Sequence, residues 1–257
     1  MNKRGRVLNK KGQITVFIII AVIIVALAVI VYFVYPKIKT TTISTNPTEY
    51  IQDCLKKDIE ANVKKISTQG GSLNPVLYSN YYGEKIEYLC YTNEYYKQCV
   101  MQQPMLKNHI EDEIKNSIKD KTKTCFDELE NNYKKQGYEV VLNRKNYSVE
   151  LLPDKIITTF NYELGLTKGA TDKYQTFKIV INNNIYDLVS IANSILNWEA
   201  QYGNAETTTY MTYYSWLKAE KRAGDNGAKI YILTERNTGN KFEFATRSVV
   251  WPAGYGV

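Results

Sequence analysis

The stretch Asn46–Gly71, NPTEYIQDCLKKDIEANVKKISTQGG, decides how the folded part of the chain begins. Asn46 supplies a side-chain oxygen suited to an N-cap, Pro47 fits the first helical position, and Glu49 faces the positive end of the helix dipole. Ile51, Leu55, Ile59, Val63 and Ile66 recur at three- and four-residue intervals, so the spacing predicts an amphipathic helix stopped by Gly70-Gly71. Cys54 lies on the same apolar face. A second helix is expected over Met105 to Gln136, with Leu106, Ile110, Ile114, Ile118, Cys125, Phe126, Leu129 and Tyr133 on one stripe and Gly137 after it.

Four cysteines, Cys54, Cys90, Cys99 and Cys125, allow three pairings, and spacing alone does not choose among them. Because Cys54 and Cys125 both sit on apolar helical stripes, the expected bridge joins those two helices and leaves Cys90 and Cys99 to close the short segment between. Zinc is the rival use of cysteine, but no Cys-x2-Cys spacing occurs and His109 is the only histidine. No metal or cofactor is therefore expected.

Beyond Gly137 the pattern alternates. Tyr138 to Leu142, Tyr147 to Leu152, Ile156 to Leu164 and Tyr174 to Asn182 read as strands of an antiparallel meander. Leu188, Ile191, Ile195, Trp198 and Tyr202 form a stripe on a third helix that would cover this sheet, and a shorter helix is expected around Thr208 to Ala219. The chain closes on a hairpin, Lys229 to Arg236 and Lys241 to Ser248. The expected class is α+β: a disulfide-stapled helical region at 47–137 and an antiparallel sheet covered by helices at 138–257.

Outward from this region toward the N-terminus, the composition changes abruptly. Ile14 to Tyr35 is 22 residues without a charge, roughly 33 Å as a helix, which matches a bilayer core. Tyr32, Phe33 and Tyr35 suit the headgroup interface. Lys3, Arg4, Arg6, Lys10 and Lys11 precede the run, and only Lys37 and Lys39 closely follow it, so the positive-inside bias predicts a cytoplasmic segment 1–13, a span 14–35, a short Thr-rich linker 36–46 and an outward-facing remainder. The expected location is the cell membrane, single-pass, with lipid as a partner and cysteines in an oxidising compartment.

The net charge of +7 belongs to this topology. The first 39 residues hold seven Lys or Arg and no acid, which leaves 26 basic against 26 acidic residues in the rest. A neutral ectodomain lacks the general electrostatic attraction of a nucleic-acid binder, and no nucleic-acid partner is expected.

The run Lys11-Gly12-Gln13 before a long apolar helix resembles the prepilin-type signals of archaeal type IV pilins, class III included. That likeness implies cleavage after Gly12, Gln13 as the mature N-terminus, and a helix serving as both anchor and assembly core. Many pilins carry a glutamate five residues into the mature chain; this chain has Phe17. The layout as a whole, with a Lys-Gly-Gln-Ile-Thr-Val-Phe start, the Tyr50-to-Leu55 segment, the Gln69-Gly70-Gly71 stop and a second cysteine-bearing helix, resembles membrane-anchored surface proteins of small-genome archaea. The resemblance implies membrane placement and a Cys54–Cys125 bridge, and no activity.

No catalytic constellation stands out. His109 precedes a solvated run, Glu111-Asp112-Glu113, and reads as a surface histidine. The carboxylates Asp53, Asp58, Glu60, Glu128 and Glu130 alternate with lysines as exposed helix faces do. Asp225-Asn226-Gly227 reads as a turn rather than a calcium loop. Tyrosine is the unusual residue, 22 in the chain. Tyr78, Tyr81, Tyr82, Tyr88, Tyr91, Tyr95 and Tyr96 crowd around Cys90 and Cys99, either as a contact surface or as half-buried sheet filler; Tyr210, Tyr213 and Tyr214 form a smaller cluster open to the same two readings. Asn146-Tyr147-Ser148 is a glycosylation sequon at an expected turn.

The expected function is a non-enzymatic structural, adhesive or pilin-like role at the cell surface, through self-assembly or contacts with other surface proteins or glycans. The alternative is an anchored receptor that binds a ligand, and an extracellular enzyme comes third. A deep apolar pocket would favour the receptor, a flat tyrosine surface assembly or adhesion, and a close cluster of acids with a histidine or serine an enzyme.

Overall fold

The computed structural model describes residues 19–29 and 46–252. Residues 19–29 form a helix, α1, whose aliphatic side chains from Ile19 to Val29 are all exposed. Among the described residues no helix is long and apolar enough to cross a membrane. Most of the expected 14–35 span, Gly12 and Gln13 lie outside the described residues. The rest of the chain, from Asn46, is one compact unit.

Helix α2 (Pro47–Thr68) starts where Asn46 accepts from the Thr48 amide at 3.0 Å, and buries Ile51, Leu55, Ile59, Val63 and Ile66. The expected second helix is two: α3 (Leu106–Ser117) and α4 (Lys119–Lys135). At the break, Ser117 Oγ donates back to the Ile114 carbonyl at 2.7 Å, a side-chain bond that competes with the helical ladder, and Ile118 is fully buried at the corner. The α2 and α4 helices pack together and are bridged by Cys54–Cys125; Cys90–Cys99 closes the second disulfide.

Three sheets complete an α+β architecture. The largest is mixed, in the order β1 (Tyr78–Tyr81), β2 (Glu84–Tyr91), β12 (Lys241–Arg247), β11 (Lys229–Glu235), β10 (Leu217–Ala223), with the short β3 (Val100–Met101) also paired to β2. Only β12 and β2 run parallel in it. Ile86 to Cys90 are buried without alternation, as expected of a strand covered on both faces. The region after Gly137 is not a meander. Instead β4 (Glu139–Asn143) pairs with β7 (Glu163–Lys168) and β7 with β8 (Ala170–Tyr174), while β5 (Tyr147–Leu152), β6 (Lys155–Phe160) and β9 (Phe177–Asn182) form a separate sheet. The expected strand Ile156 to Leu164 is split at Asn161-Tyr162, and Tyr162 turns into the core beside Phe126, their rings 4.6 Å apart.

One hydrophobic core runs from Ile51 to Phe244 and crosses Gly137 without a gap. Phe126 of α4 sits at its centre against Phe160 and Phe177 at 5.6 and 5.2 Å. The remaining helices, α5 (Ile185–Tyr202) and α6 (Thr207–Tyr213), lie on the large sheet, α5 over β11 and β12, and α6 beside β10. The expected helix to Ala219 stops at Tyr213; Leu217 to Ala223 is strand β10 instead, held by seven paired positions on β11.

Candidate functional site

The orientation of α5 sets up the site. Its buried stripe is Ile185, Leu188, Val189, Ile191, Ala192, Ile195, Leu196 and Glu199. The expected stripe is therefore wrong at its C-terminal end: Trp198 is 50 % exposed and Tyr202 63 %, while the neighbouring Glu199 is fully buried. The reason is a polar network that holds Glu199 inside. Its Oε1 accepts from the Ala205 amide at 3.1 Å and from the Tyr231 hydroxyl, and its Oε2 accepts from Lys229 Nζ at 2.6 Å. Lys229 also donates to the Gly203 and Ser248 carbonyls, and Ser248 Oγ donates to the Glu199 carbonyl at 2.8 Å while accepting from the Cys99 amide at 3.0 Å. Burial lowers the Lys229 pKa and raises that of Tyr231. Gly203 ends the helix in the left-handed region, where an added Cβ would fall 2.1 Å from Val249.

With Glu199 fixed inward, the outer face of α5 presents Asp187, Ser190, Ser194 and Trp198 at three- and four-residue spacing. Across from it stand Tyr210 and Tyr213 of α6, then Tyr214 and Trp216. Ser194 Oγ and Tyr210 Oη are 2.9 Å apart and tie the two helices. Three adjoining cavities follow this line. A 380 Å³ cavity is lined by Trp198, Glu206, Tyr210, Tyr213 and Tyr214 among others. It shares Ser194, Tyr210 and Tyr214 with a 160 Å³ cavity, which in turn shares Asp187 and Trp216 with one of 640 Å³.

The 640 Å³ cavity is lined by polar residues apart from Trp216. Asn182 at the end of β9 and Asn183 and Asn184 after it face Asn237, Thr238 and Asn240 in the β11–β12 turn, with Asp154, Asp187 and Glu235 between. Asn240 Nδ2 donates to Asn184 Oδ1 at 2.9 Å, and Glu235 shapes the turn by accepting from the Asn237 and Thr238 amides at 3.0 and 2.6 Å. A hydrogen bond from the Thr238 side chain, with those amide bonds beside it, holds the Glu235 carboxyl below its ordinary pKa, whereas burial raises that of Asp187. No lysine, arginine or histidine lines any of the three cavities. The trench therefore has aromatic walls at one end and amides and carboxylates at the other, with Lys221 beside it, donating to the lining Asn204 Oδ1 at 2.8 Å.

A second cluster joins a carboxylate, a serine and the histidine. Ser72 Oγ is 2.5 Å from Glu87 Oε2 and 2.7 Å from His109 Nε2, all close to the chain stop at Gly70-Gly71. Glu113 beside them accepts from the Leu73 amide at 2.8 Å. His109 is thus half-buried and bonded, not a surface residue; its i, i+4 relation to Glu113 is the sequence signal that could have flagged it. The wiring differs from that of a nucleophilic triad, in which the imidazole stands between carboxylate and hydroxyl. Here the hydroxyl stands between. With Glu87 ionised, Ser72 donates to the carboxylate and Nε2 donates to Ser72. Ser72 itself is buried, at 6 % exposure. Gly70 is required by contact as well as by its φ of +82°, since an added Cβ would lie 2.7 Å from Glu87 Cβ.

The tyrosines around Cys90 and Cys99 are spread over different environments. Tyr88 is buried in a small second core with Ile86, Ile230 and Ile232, Tyr78, Tyr81 and Tyr91 are half-buried, and Tyr82, Tyr95 and Tyr96 are exposed. Tyr96 meets Trp251 edge to face at 5.0 Å, and Arg247 lies over the Tyr95 ring at 5.4 Å. Asn146 is exposed just before β5, and its Oδ1 accepts from Asn161 at 3.2 Å. Asp225–Gly227 is a single 3-10 turn with Asn226 at a φ of +54°. Among the described residues no group of three or more His, Cys, Asp or Glu side chains could hold a metal ion.

Comparison with known proteins gives no match among family models, curated proteins or solved structures. The function must be argued from the site alone.

Proposed function

We propose that the chain is a single-pass cell-surface protein whose outward-facing domain, beginning at Asn46, is a non-enzymatic recognition module that binds its ligand in the α5–α6 trench. The observation that carries this reading is the outward turn of Trp198: an internally bonded Glu199 orients the helix so that large aromatic side chains line a concave, well-supported groove. Exposed aromatic groups held by a rigid scaffold are the usual anchors of binding sites. Membrane attachment rests on the uncharged run Ile14–Tyr35 and its flanking charges, and the two disulfides suit an extracellular domain.

The test has two arms on the full-length chain. External protease added to intact cells is expected to digest the domain after Asn46 and leave an N-terminal tag protected. Solubilised protein is expected to bind isolated envelope of the producing cells, and Trp198→Ala to weaken that binding about tenfold. A protected C-terminal domain would overturn the topology; equal binding by the variant would overturn the site.

A pilin-like assembly role is supported by one specific feature, the Lys11-Gly12-Gln13 junction before the apolar run. A native N-terminus at Gln13 would favour it, and one at Met1 would leave a simple signal anchor.

A further inference from the structure

We infer that the ligand of the trench is a neutral oligosaccharide, bound along several sugar rings; this rests on reading the trench as the binding site. Three properties carry the assignment. First, the trench is elongated: Asp187 to Trp198 along α5 spans roughly 16 Å at 1.5 Å per residue, which accommodates several rings in line rather than one small molecule. Second, its chemistry changes along its length in the way a sugar chain requires. Trp198 and Tyr213, 50 % and 83 % exposed, and the half-buried Trp216 offer flat apolar faces for the C–H faces of pyranose rings. The asparagines around Asn184 and Asn240 offer donors and acceptors on the same group, which matches hydroxyls that both donate and accept. A simple cation would use acceptors alone.

Third, the electrostatics disfavour the common anionic polymers. Asp154, Asp187, Glu206 and Glu235 line the trench against one nearby lysine, Lys221, which donates to the lining Asn204 Oδ1 at 2.8 Å, so the lining is negative on balance and nucleic acids, sulfated or uronic-acid glycans and anionic lipid headgroups are disfavoured. Neutral hydroxyl-rich chains carry no such penalty and can donate to the carboxylates.

The test titrates solubilised full-length protein, by calorimetry, with neutral gluco-, manno- and N-acetylgluco-oligosaccharides of one to six rings, and with oligolysine and an uncharged proline-rich peptide as controls. The expected result is saturable binding to at least one neutral series, tightening with each ring up to about four, little changed between low and high salt, and weakened about tenfold by Trp198→Ala. Tyr213→Ala, at a position too exposed to affect folding, is expected to weaken it several-fold as a second check. If envelope binding depends on Trp198 but no neutral oligosaccharide binds or competes, the sugar assignment falls and the recognition site stands. Competition by oligolysine that fades with salt, or by the proline-rich peptide, would likewise replace the sugar by a peptide. If envelope binding does not depend on Trp198, both fall together.

Discussion

Two aromatic regions of this molecule differ in what their rings do. Around Cys90 and Cys99 the chain carries seven tyrosines within residues 78–96, yet Tyr88 is buried and three others are half-buried against the edge of the large sheet. Along α5, α6 and the turn after them, Tyr186, Tyr210 and Trp216 are half-buried, none is fully buried, and Trp198, Tyr202, Tyr213 and Tyr214 are exposed. The difference is one of support. A strand alternates its faces, so closely spaced tyrosines are divided between core and surface. A helix pinned by one buried carboxylate shows all its outer residues to the same side. Density of a residue type along a sequence therefore predicts a surface poorly, and the device that fixes the orientation predicts it well.

The largest test of this contrast is Glu199→Ala. It leaves the Lys229 ammonium and Tyr231 hydroxyl without their buried partner, and is expected to destabilise the domain by roughly 3–5 kcal/mol in denaturant titrations. A loss below about 1 kcal/mol would mean that the network does not hold α5. Next in size are the two disulfides, the helical pair ahead of the tyrosine-rich loop. Replacing Cys90 and Cys99 together by serine opens a short loop, of nine-residue separation, and is expected to cost somewhat less than about 3 kcal/mol. Removing Cys54 and Cys125, whose separation is 71, is expected to cost about 4 kcal/mol in the same chain-entropy model; thus the two disulfides, measured side by side, calibrate the loop against the helical pair.

A smaller effect concerns pH. Burial raises the Glu87 carboxyl above its ordinary pKa, so just above the usual glutamate range the folded chain holds a proton that the unfolded chain has released. That group's contribution to stability therefore falls as pH rises through this window and is regained on acidification. Glu87→Gln is expected to flatten that segment of the stability–pH curve relative to the parent; an unchanged slope would show that Glu87 is not the buried acid of the cluster. Smallest of all, Tyr82→Ala, at 92 % exposure, is expected to change stability by less than about 0.5 kcal/mol.

Much of this was legible in the residues. The cap at Asn46, the five-residue apolar stripe of α2, the inward cysteines of α2 and α4 and the final hairpin each follow from local patterns, because caps, periodicity and turns act over a few residues. What was not legible depends on distant partners. The parallel pairing of β2 with β12 joins segments at opposite ends of the domain, and nothing local in Ile86 to Cys90 names its neighbour. The nesting of the β5–β6 hairpin between β4 and β7 has the same cause. On α5, Trp198 and Glu199 compete for one inward position. Hydrophobicity favours the tryptophan, but the carboxylate wins because Lys229, Tyr231 and the Ala205 amide, supplied from elsewhere in the chain, satisfy it completely. The candidate site follows from that exchange, so reading α5 by hydrophobicity alone also hides the site.

Side-by-side binding of Trp198→Ala and Tyr82→Ala full-length protein to the cell envelope tests the central claim most directly. The α5–α6 trench as the recognition site predicts about a tenfold loss for Trp198→Ala and none for Tyr82→Ala; a loss confined to Tyr82→Ala would return the binding surface to the tyrosine-rich strands and contradict it.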